Sequence, residues 1–258
     1  MPASRARQHI SPVAAVDYLD LTLPSLEENL ALDEALLLVA EQHGQSRGEV
    51  LRFWESPQYA VILGSACRMA QDVQIECCRR DGIPVLRRAS GGGTVIIGPG
   101  CLNITLILRY DRCAALGAVA ASYGYILERI LSALEAVAPD AGWHCQGTGD
   151  LCIGQRKVGG SAQRRMRSAM LYHGTLLYGF FLEQVPRYLT EPARRPAYRR
   201  QRPHESFLTN CDVPAAAAFK AQMQQRWDAF ARLLRWPQDM VHQLVAEKYS
   251  NPRWINRL

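Results

Sequence analysis

The sequence predicts an α/β protein of the α+β kind, a mixed β-sheet packed with helices. Three observations carry that prediction. Apolar runs at 50–54, 59–63, 83–87, 95–97 and 102–108 have strand character, and one long stretch, 114–138, repeats its apolar residues at helical spacing. Glycine-rich stretches then interrupt the runs where a chain must turn or come close to another. With 258 residues and 48% hydrophobic content, the chain is long enough for one well-buried domain, read here as 1–258.

The elements follow in order. Ser25-x-x-Glu28 reads as a capping box that starts a helix through about Glu41, with Leu26, Leu30 and Leu37 on one face and Gly44 and Gly48 ending it. Residues 50–54 and 59–63 read as two strands joined by a turn at Pro57, the second ending in Gly64-Ser65, where a ligand can approach. Residues 72–81 read as a helix leading into the strand 83–87. Val119, Tyr123, Ile126, Ile130, Leu134 and Val137 give the helix 114–138, stopped by Pro139. Short strands are expected at 151–153, 157–158 and 170–177. Residues 186–214 hold five of the fourteen prolines and many arginines, predicting a long loop, and a helical C-terminal extension covers 215–258 through helices at 215–234 and 238–248.

Composition removes several classes of protein. No apolar stretch reaches 18 residues, and the basic N-terminus has no hydrophobic region after it, so neither a membrane span nor a secretory signal is expected and the protein is read as cytoplasmic. Eight cysteines lack the spacing of a disulfide framework or a zinc site. The net charge of +6 gathers in Arg164-Arg165-Arg167 and Arg194-Arg195-Arg199-Arg200-Arg202. Such clusters suit an acidic protein, a phosphorylated ligand or a merely solvated face; no RNA-binding signature accompanies them, so no nucleic-acid partner is expected.

The chemistry concentrates in three segments. Arg87-Arg88-Ala89-Ser90-Gly91-Gly92-Gly93-Thr94 places three glycines and two fixed positive charges between strand-like runs. Without Cβ atoms, backbone N–H groups there can face an anion, although a plain turn would explain the glycines alone. It is neither a Walker A loop nor a Gly-x-Gly-x-x-Gly turn. The second segment carries Asp150, Lys157 and Gly160-Ser161-Ala162-Gln163; the third is His173-Gly174-Thr175-Leu176-Leu177. Read singly, Lys157 fits an exposed turn lysine, Asp150 a cap, and His173 a hydrogen-bonded structural residue.

Taken together and in this order, the three segments resemble the lipoate-protein ligases, in the superfamily that also holds biotin-protein ligases and octanoyltransferases. The resemblance runs from about Leu19 to about Leu208, with 30–35 as the family's first helix. It implies the biotin/lipoate protein ligase catalytic-domain fold, without the full C-terminal accessory domain of many ligases. It also implies the activity: lipoate or octanoate is activated with ATP and Mg²⁺ to an acyl-adenylate and passed to a lysine of a lipoyl-domain or lipoate-carrier protein. By resemblance Lys157 is the catalytic cation. Arg88, Ser90, Gly91, Gly92, Gly93, Thr94, Asp150, Gly160, Ser161 and Ala162 bind ATP and the adenylate, with Asp150 also a ligand for Mg²⁺. Val61, Leu63, Gly64, His173 and Gly174 form the acyl pocket.

Two departures matter. Ile96-Ile97-Gly98-Pro99-Gly100 stands where the family often has an aromatic residue followed by His-Asp, so adenine contacts there must be backbone or supplied elsewhere. Cys145, five residues before Asp150, lies where cysteine-dependent octanoyl amidotransferases of this fold keep a nucleophile. That gives an alternative chemistry without ATP, unless Cys145 is a buried strand residue. The short C-terminus motivates a further reading, the catalytic half of a two-subunit ligase needing a small accessory protein.

Overall fold

In the computed structural model, residues 15–42, 48–192, 195–212 and 216–258 are described. The N-terminal basic stretch, Gly44 and Arg194 lie outside them. An eight-stranded mixed sheet is built from β1 (Asp17–Asp20), β2 (Val50–Trp54), β6 (Cys101–Arg109), β7 (Trp143–Gln146), β8 (Asp150–Ile153), β9 (Arg156–Arg165), β10 (Ala169–Leu177) and β11 (Ala231–Arg232). Its order is β11-β1-β2-β6-β10-β9-β8-β7, parallel at β11-β1-β2 and antiparallel beyond. A second sheet of three strands, β4 (Val85–Arg87), β3 (Ala60–Leu63) and β5 (Val95–Ile97), packs against it.

The period of two along β2 sorts the core. Val50 and Trp54 face one cluster with α1 (Leu26–Gln42) and the small sheet, while Leu51 and Phe53 face another with α4 (Val119–Val137). The capping box forms as expected: the Glu28 N–H donates to Ser25 Oγ at 3.1 Å, and Ser25 N–H donates back to Glu28 Oε2 at 2.9 Å. On β10 the odd positions face α1 and the small sheet, where His173 and Thr175 interrupt an otherwise apolar series of Ala169, Leu171 and Leu177. Polar residues on that inner face mark where a cavity opens.

Several expectations need correction. The strands at 50–54 and 59–63 do not pair across Pro57 but enter different sheets. The helix expected at 72–81 is split into α2 (Met69–Asp72) and α3 (Ile75–Asp81), because Val73 leaves the helix to bridge Leu189. Residues 114–117 form a 3₁₀ turn before α4. The Pro/Arg-rich stretch contains the end of α5 (Gln184–Tyr188), a 3₁₀ turn at Ala197–Arg199 and α6 (His204–Phe207). The helix expected over 215–234 stops as α7 (Ala216–Trp227), and β11 follows it. α8 (Gln238–Leu244) continues as a π-turn through Tyr249, and α9 (Pro252–Ile255) ends the fold. No helix among the described residues is long and apolar enough to cross a membrane.

Candidate active site

A cavity of about 910 Å³ opens between the inner face of the large sheet, α1 and the small sheet. Its wall is apolar at Ile62, Ile97, Leu177, Phe180 and Leu189, and polar at Asp33, Arg88, Asp150, Lys157 and His173. All three sequence segments meet here. The glycine loop lies across β9, its Gly91 N–H donating to Gln163 O at 3.4 Å while Arg164 reaches Ala89 O at 3.4 Å.

Arg88 organises the loop from beneath. Its guanidinium donates to Ser90 Oγ at 3.0 Å, Ile62 O at 3.2 Å, Gly93 O at 2.9 Å and the Gly91 carbonyl. Every acceptor is neutral, and among the described residues no carboxylate pairs with it. Burial alone drives its pKa down to about 10. Gly92 has φ +80°, and a Cβ there would stand 2.9 Å from Arg88 Nη2 and 3.0 Å from Ala162 Cβ, so the loop needs glycine for both conformation and space. Gly64 is needed for the same approach: a Cβ on it would lie 2.0 Å from Gly92 O.

Lys157 reaches the site through an irregularity. Residues 157 and 160 would face opposite ways in an unbroken ladder, but the register shifts between Leu151 and Cys152, pairing Asp150 with Gly160 and Cys152 with Lys157. The bulge turns Lys157 onto the face of Asp150, where Nζ lies 2.7 Å from Oδ1. Gly160 leaves the room, since a Cβ there would meet Nζ at 2.7 Å. Asp150 Oδ2 accepts a second hydrogen bond from the Tyr198 hydroxyl at 2.6 Å.

His173 lies across the sheet from Ala162 and Thr105. Its Nδ1 is 3.2 Å from Ser90 Oγ, and Nε2 is 3.3 Å from Asp33 Oδ2. Asp33 is itself paired with Arg52 at 2.6 Å in the core. Burial works against the Asp33 carboxylate, yet Arg52 and His173 together hold its pKa below the usual range. A buried polar chain thus runs from Arg52 through Asp33, His173 and Ser90 to Arg88.

The remaining expected residues divide. Gly93, Thr94, Gly160, Ser161, Ala162 and Gly174 line the cavity, with Thr94 tied to Asp72 at 2.8 Å. Ser90, Gly91 and Gly64, expected to bind the adenylate or the acyl chain, are not among its lining residues; Ser90 Oγ instead lies between Arg88 and His173. Val61 and Leu63 do not line it: both are fully buried in the core, and by strand alternation Ile62 faces the cavity instead. Cys145 stands apart on the edge strand β7, facing a separate cleft beside Tyr123 and Leu127. Burial, with Cys152 and Asp150 nearby, raises its pKa to about 11, so the thiol is neutral at ordinary pH. His144, its neighbour on β7, points to the opposite face of the strand, with Nδ1 3.2 Å from Gly142 O.

In this arrangement Lys157 and Tyr198 engage the two oxygens of Asp150, so a magnesium ion held there would take the place of Lys157 on Oδ1. No cluster of three or more His, Cys, Asp or Glu able to hold a metal occurs among the described residues. The sequence reading missed Tyr198, Asp33, Arg52 and Ile62. Asp33-Glu34 within the apolar run of α1 was the one available signal.

Fold and site together define an α/β enzyme class that brings an apolar-walled cavity against a cation-lined glycine loop. The "Lipoyl protein ligase A/B catalytic domain" model matches residues 25–225, and the chain belongs to that family. It is 34% identical over 149 residues to a putative lipoate-protein ligase A of Aeropyrum pernix, covering 58% of this chain and 52% of that one. It is 31% identical over 197 residues to the octanoyltransferase LipM of Symbiobacterium thermophilum, covering 67% and 68%. The chain spans about half the length of the first of these. In structure it is similar to the bi-partite lipoate protein ligase of Thermoplasma acidophilum, with TM-score 0.79, 21% identity and coverage of 95% and 98%. The family thus holds both ligases and acyltransferases.

Proposed function

We propose that this protein is a lipoate-protein ligase that activates lipoate or octanoate with ATP and transfers the acyl group to a lysine of a lipoyl domain. The observation that carries the reading is Arg88, a buried guanidinium whose acceptors among the described residues are all neutral, set beneath a glycine loop in the same cavity as Lys157. An anion such as a nucleotide phosphate would supply the charge that Arg88 lacks. In the first half-reaction the acid's carboxylate attacks the α-phosphorus and pyrophosphate leaves. Lys157 and Arg88 would stabilise the charge gathering on the phosphoryl oxygens. In the second, the acceptor lysine attacks the acyl carbonyl and AMP leaves, with Lys157 polarising the carbonyl oxygen. Mg²⁺, when present, would accompany the nucleotide and offset phosphate charge. The apolar wall suits a medium-length chain: about six methylenes at roughly 0.8 kcal/mol each give about 5 kcal/mol.

The test is pyrophosphate release with MgATP, comparing lipoate, octanoate, biotin and no acid. Release that depends on lipoate or octanoate, and falls about 100-fold or more in Lys157→Ala, is expected. An acyl thioester on Cys145, with no pyrophosphate, would overturn it in favour of amidotransfer; the high thiol pKa and the separate cleft argue against that outcome. A two-subunit form is favoured by one observation, since the Thermoplasma protein that this chain covers almost completely is described as bi-partite. Release only on addition of a small second subunit would establish it. The same relative is described with its E2 lipoyl domain, which supports a lipoyl domain as acceptor.

A further inference from the structure

Lys157 has a partner to lose. Its ammonium is spent on Asp150 Oδ1 at 2.7 Å, yet the proposed chemistry needs it on a phosphate and then on an acyl oxygen. When it turns away, the carboxylate loses its counter-charge inside a partly buried site, where an unpaired anion is costly. A second group must hold Asp150 during that exchange, or the carboxylate will keep or follow the lysine.

Tyr198 is placed for this. Its hydroxyl donates to Asp150 Oδ2, the oxygen that Lys157 does not use, at 2.6 Å. Burial first, and the Asp150 hydrogen bond next, raise the phenol pKa well above its ordinary value, so the proton stays on Tyr198. The ring is fixed by its tilted packing on Phe207, with centroids 5.5 Å apart. The carbonyl of Tyr198 accepts from Arg202 Nη2 at 3.1 Å, and the next residue, Arg199, is clamped by Glu191 at 2.6 Å. The Cys152 thiol also lies 3.8 Å from the hydroxyl. A donor held on so many sides keeps its position when Lys157 moves, and a short O–H···O⁻ bond is among the stronger hydrogen bonds.

We propose that Tyr198, brought by the Pro/Arg-rich segment, is a positioning residue that retains Asp150 while Lys157 exchanges it for the substrate. The inference rests on the ligase reading above. It gives a role in the site to the 3₁₀ turn at Ala197–Arg199, which carries Tyr198 to β8.

The test is a double-mutant cycle read by acid-dependent pyrophosphate release. Tyr198→Phe keeps the ring and removes only the hydroxyl. It is expected to lower kcat about tenfold or more, the loss of one hydrogen bond to a charged group, while the nucleotide KM moves less than about threefold. Asp150→Asn removes the charge that Tyr198 serves, so the double variant Asp150→Asn/Tyr198→Phe is expected within about twofold of Asp150→Asn alone. A role confined to loop packing would give multiplicative losses instead, and that result overturns the proposal, as does wild-type kcat in Tyr198→Phe. Thermal melting of each variant identifies any loss through unfolding; for a Tyr198→Phe protein that melts low, the cycle is measured with Tyr198→Leu, which also lacks a donor. Failure of the ligase reading is separately visible, because the unsubstituted protein would then release no pyrophosphate.

Discussion

Gly159 and Gly160 are neighbours on β9, and adding one methyl to each should have opposite consequences. At Gly160 a Cβ would meet Lys157 Nζ at 2.7 Å and Cε at 2.9 Å, both at the far end of a flexible side chain. The lysine must retreat by about 0.7 Å or more to reach ordinary contact beyond 3.4 Å. No backbone atom is touched, and the position is not left-handed, so Gly160→Ala should melt within about 3 °C of the parent, the unfolded chain losing freedom in partial compensation. Its activity should fall about 100-fold, the typical result of misplacing a reacting group by roughly 1 Å. At Gly159 the added Cβ would lie 2.2 Å from the Thr175 carbonyl oxygen, on β10 of the same sheet. Gly159→Ala therefore forces two strands apart and should cost about 1–3 kcal/mol, lowering the melting temperature by about 3–10 °C. Differential scanning calorimetry with pyrophosphate release separates the two. Full activity in Gly160→Ala would refute the claim that Lys157 is aimed from its place beside Asp150, and equal melting losses would refute the packing argument.

Three further outcomes are expected. Arg88→Gln should raise the nucleotide KM more than it lowers kcat, whereas Lys157→Ala should do the reverse; steady-state kinetics on both decides it. Asp33→Asn leaves Arg52 buried without its counter-charge and should cost about 3–5 kcal/mol. Because the folded Asp33 pKa lies below its unfolded value near 3.8, this stabilisation is present above that pH and lost as pH falls through the folded pKa, so melting curves of parent and variant should converge in acid. Cys145 should resist iodoacetamide at pH 8 and label as pH rises through about 11, read by mass spectrometry. Its raised pKa favours the neutral thiol in the fold, so stability should fall as pH climbs from about 9 to about 11, a loss absent from Cys145→Ser.

What the sequence revealed of this fold is what local chemistry fixes. The Ser25/Glu28 box, the helical period of 119–137 and the three chemical segments all depend on residues close in the chain. The errors fall where a distant partner decides. Ala60-Val61-Ile62-Leu63 is apolar throughout, so no alternation showed that Ile62 rather than its neighbours faces the cavity. Val73 leaves its helix for a bridge to Leu189, and Ala231–Arg232 becomes a strand because β1 offers an edge. The bulge that turns Lys157 toward Asp150 depends on β8, and Tyr198 reaches Asp150 from 48 residues away. The motif order picked out three segments that the fold brings to one cavity; only packing could reveal how Lys157 is aimed.

The treatment of buried positive charge separates scaffold from site. Arg52, fully buried, has a carboxylate at 2.6 Å, which makes it a structural cross-link between β2 and α1. Arg87, also fully buried, is satisfied by the carbonyls of Gly64, Cys67 and Ile255, and its own carbonyl accepts from the Trp254 indole at 2.9 Å, so it ties α9 to the base of the glycine loop. Its neighbour Arg88 faces the cavity with carbonyls and a serine as its acceptors among the described residues. A folded protein holds a desolvated cation without a counter-ion at a cost in stability, and a nearby acid would have been the simplest remedy. Lys157, in the same cavity, does have that acid. The two cations therefore meet an arriving anion differently: Arg88 gains a partner outright, whereas Lys157 must exchange one. Binding energy should come mainly from the first and its timing from the second, which is why their substitution should divide between KM and kcat.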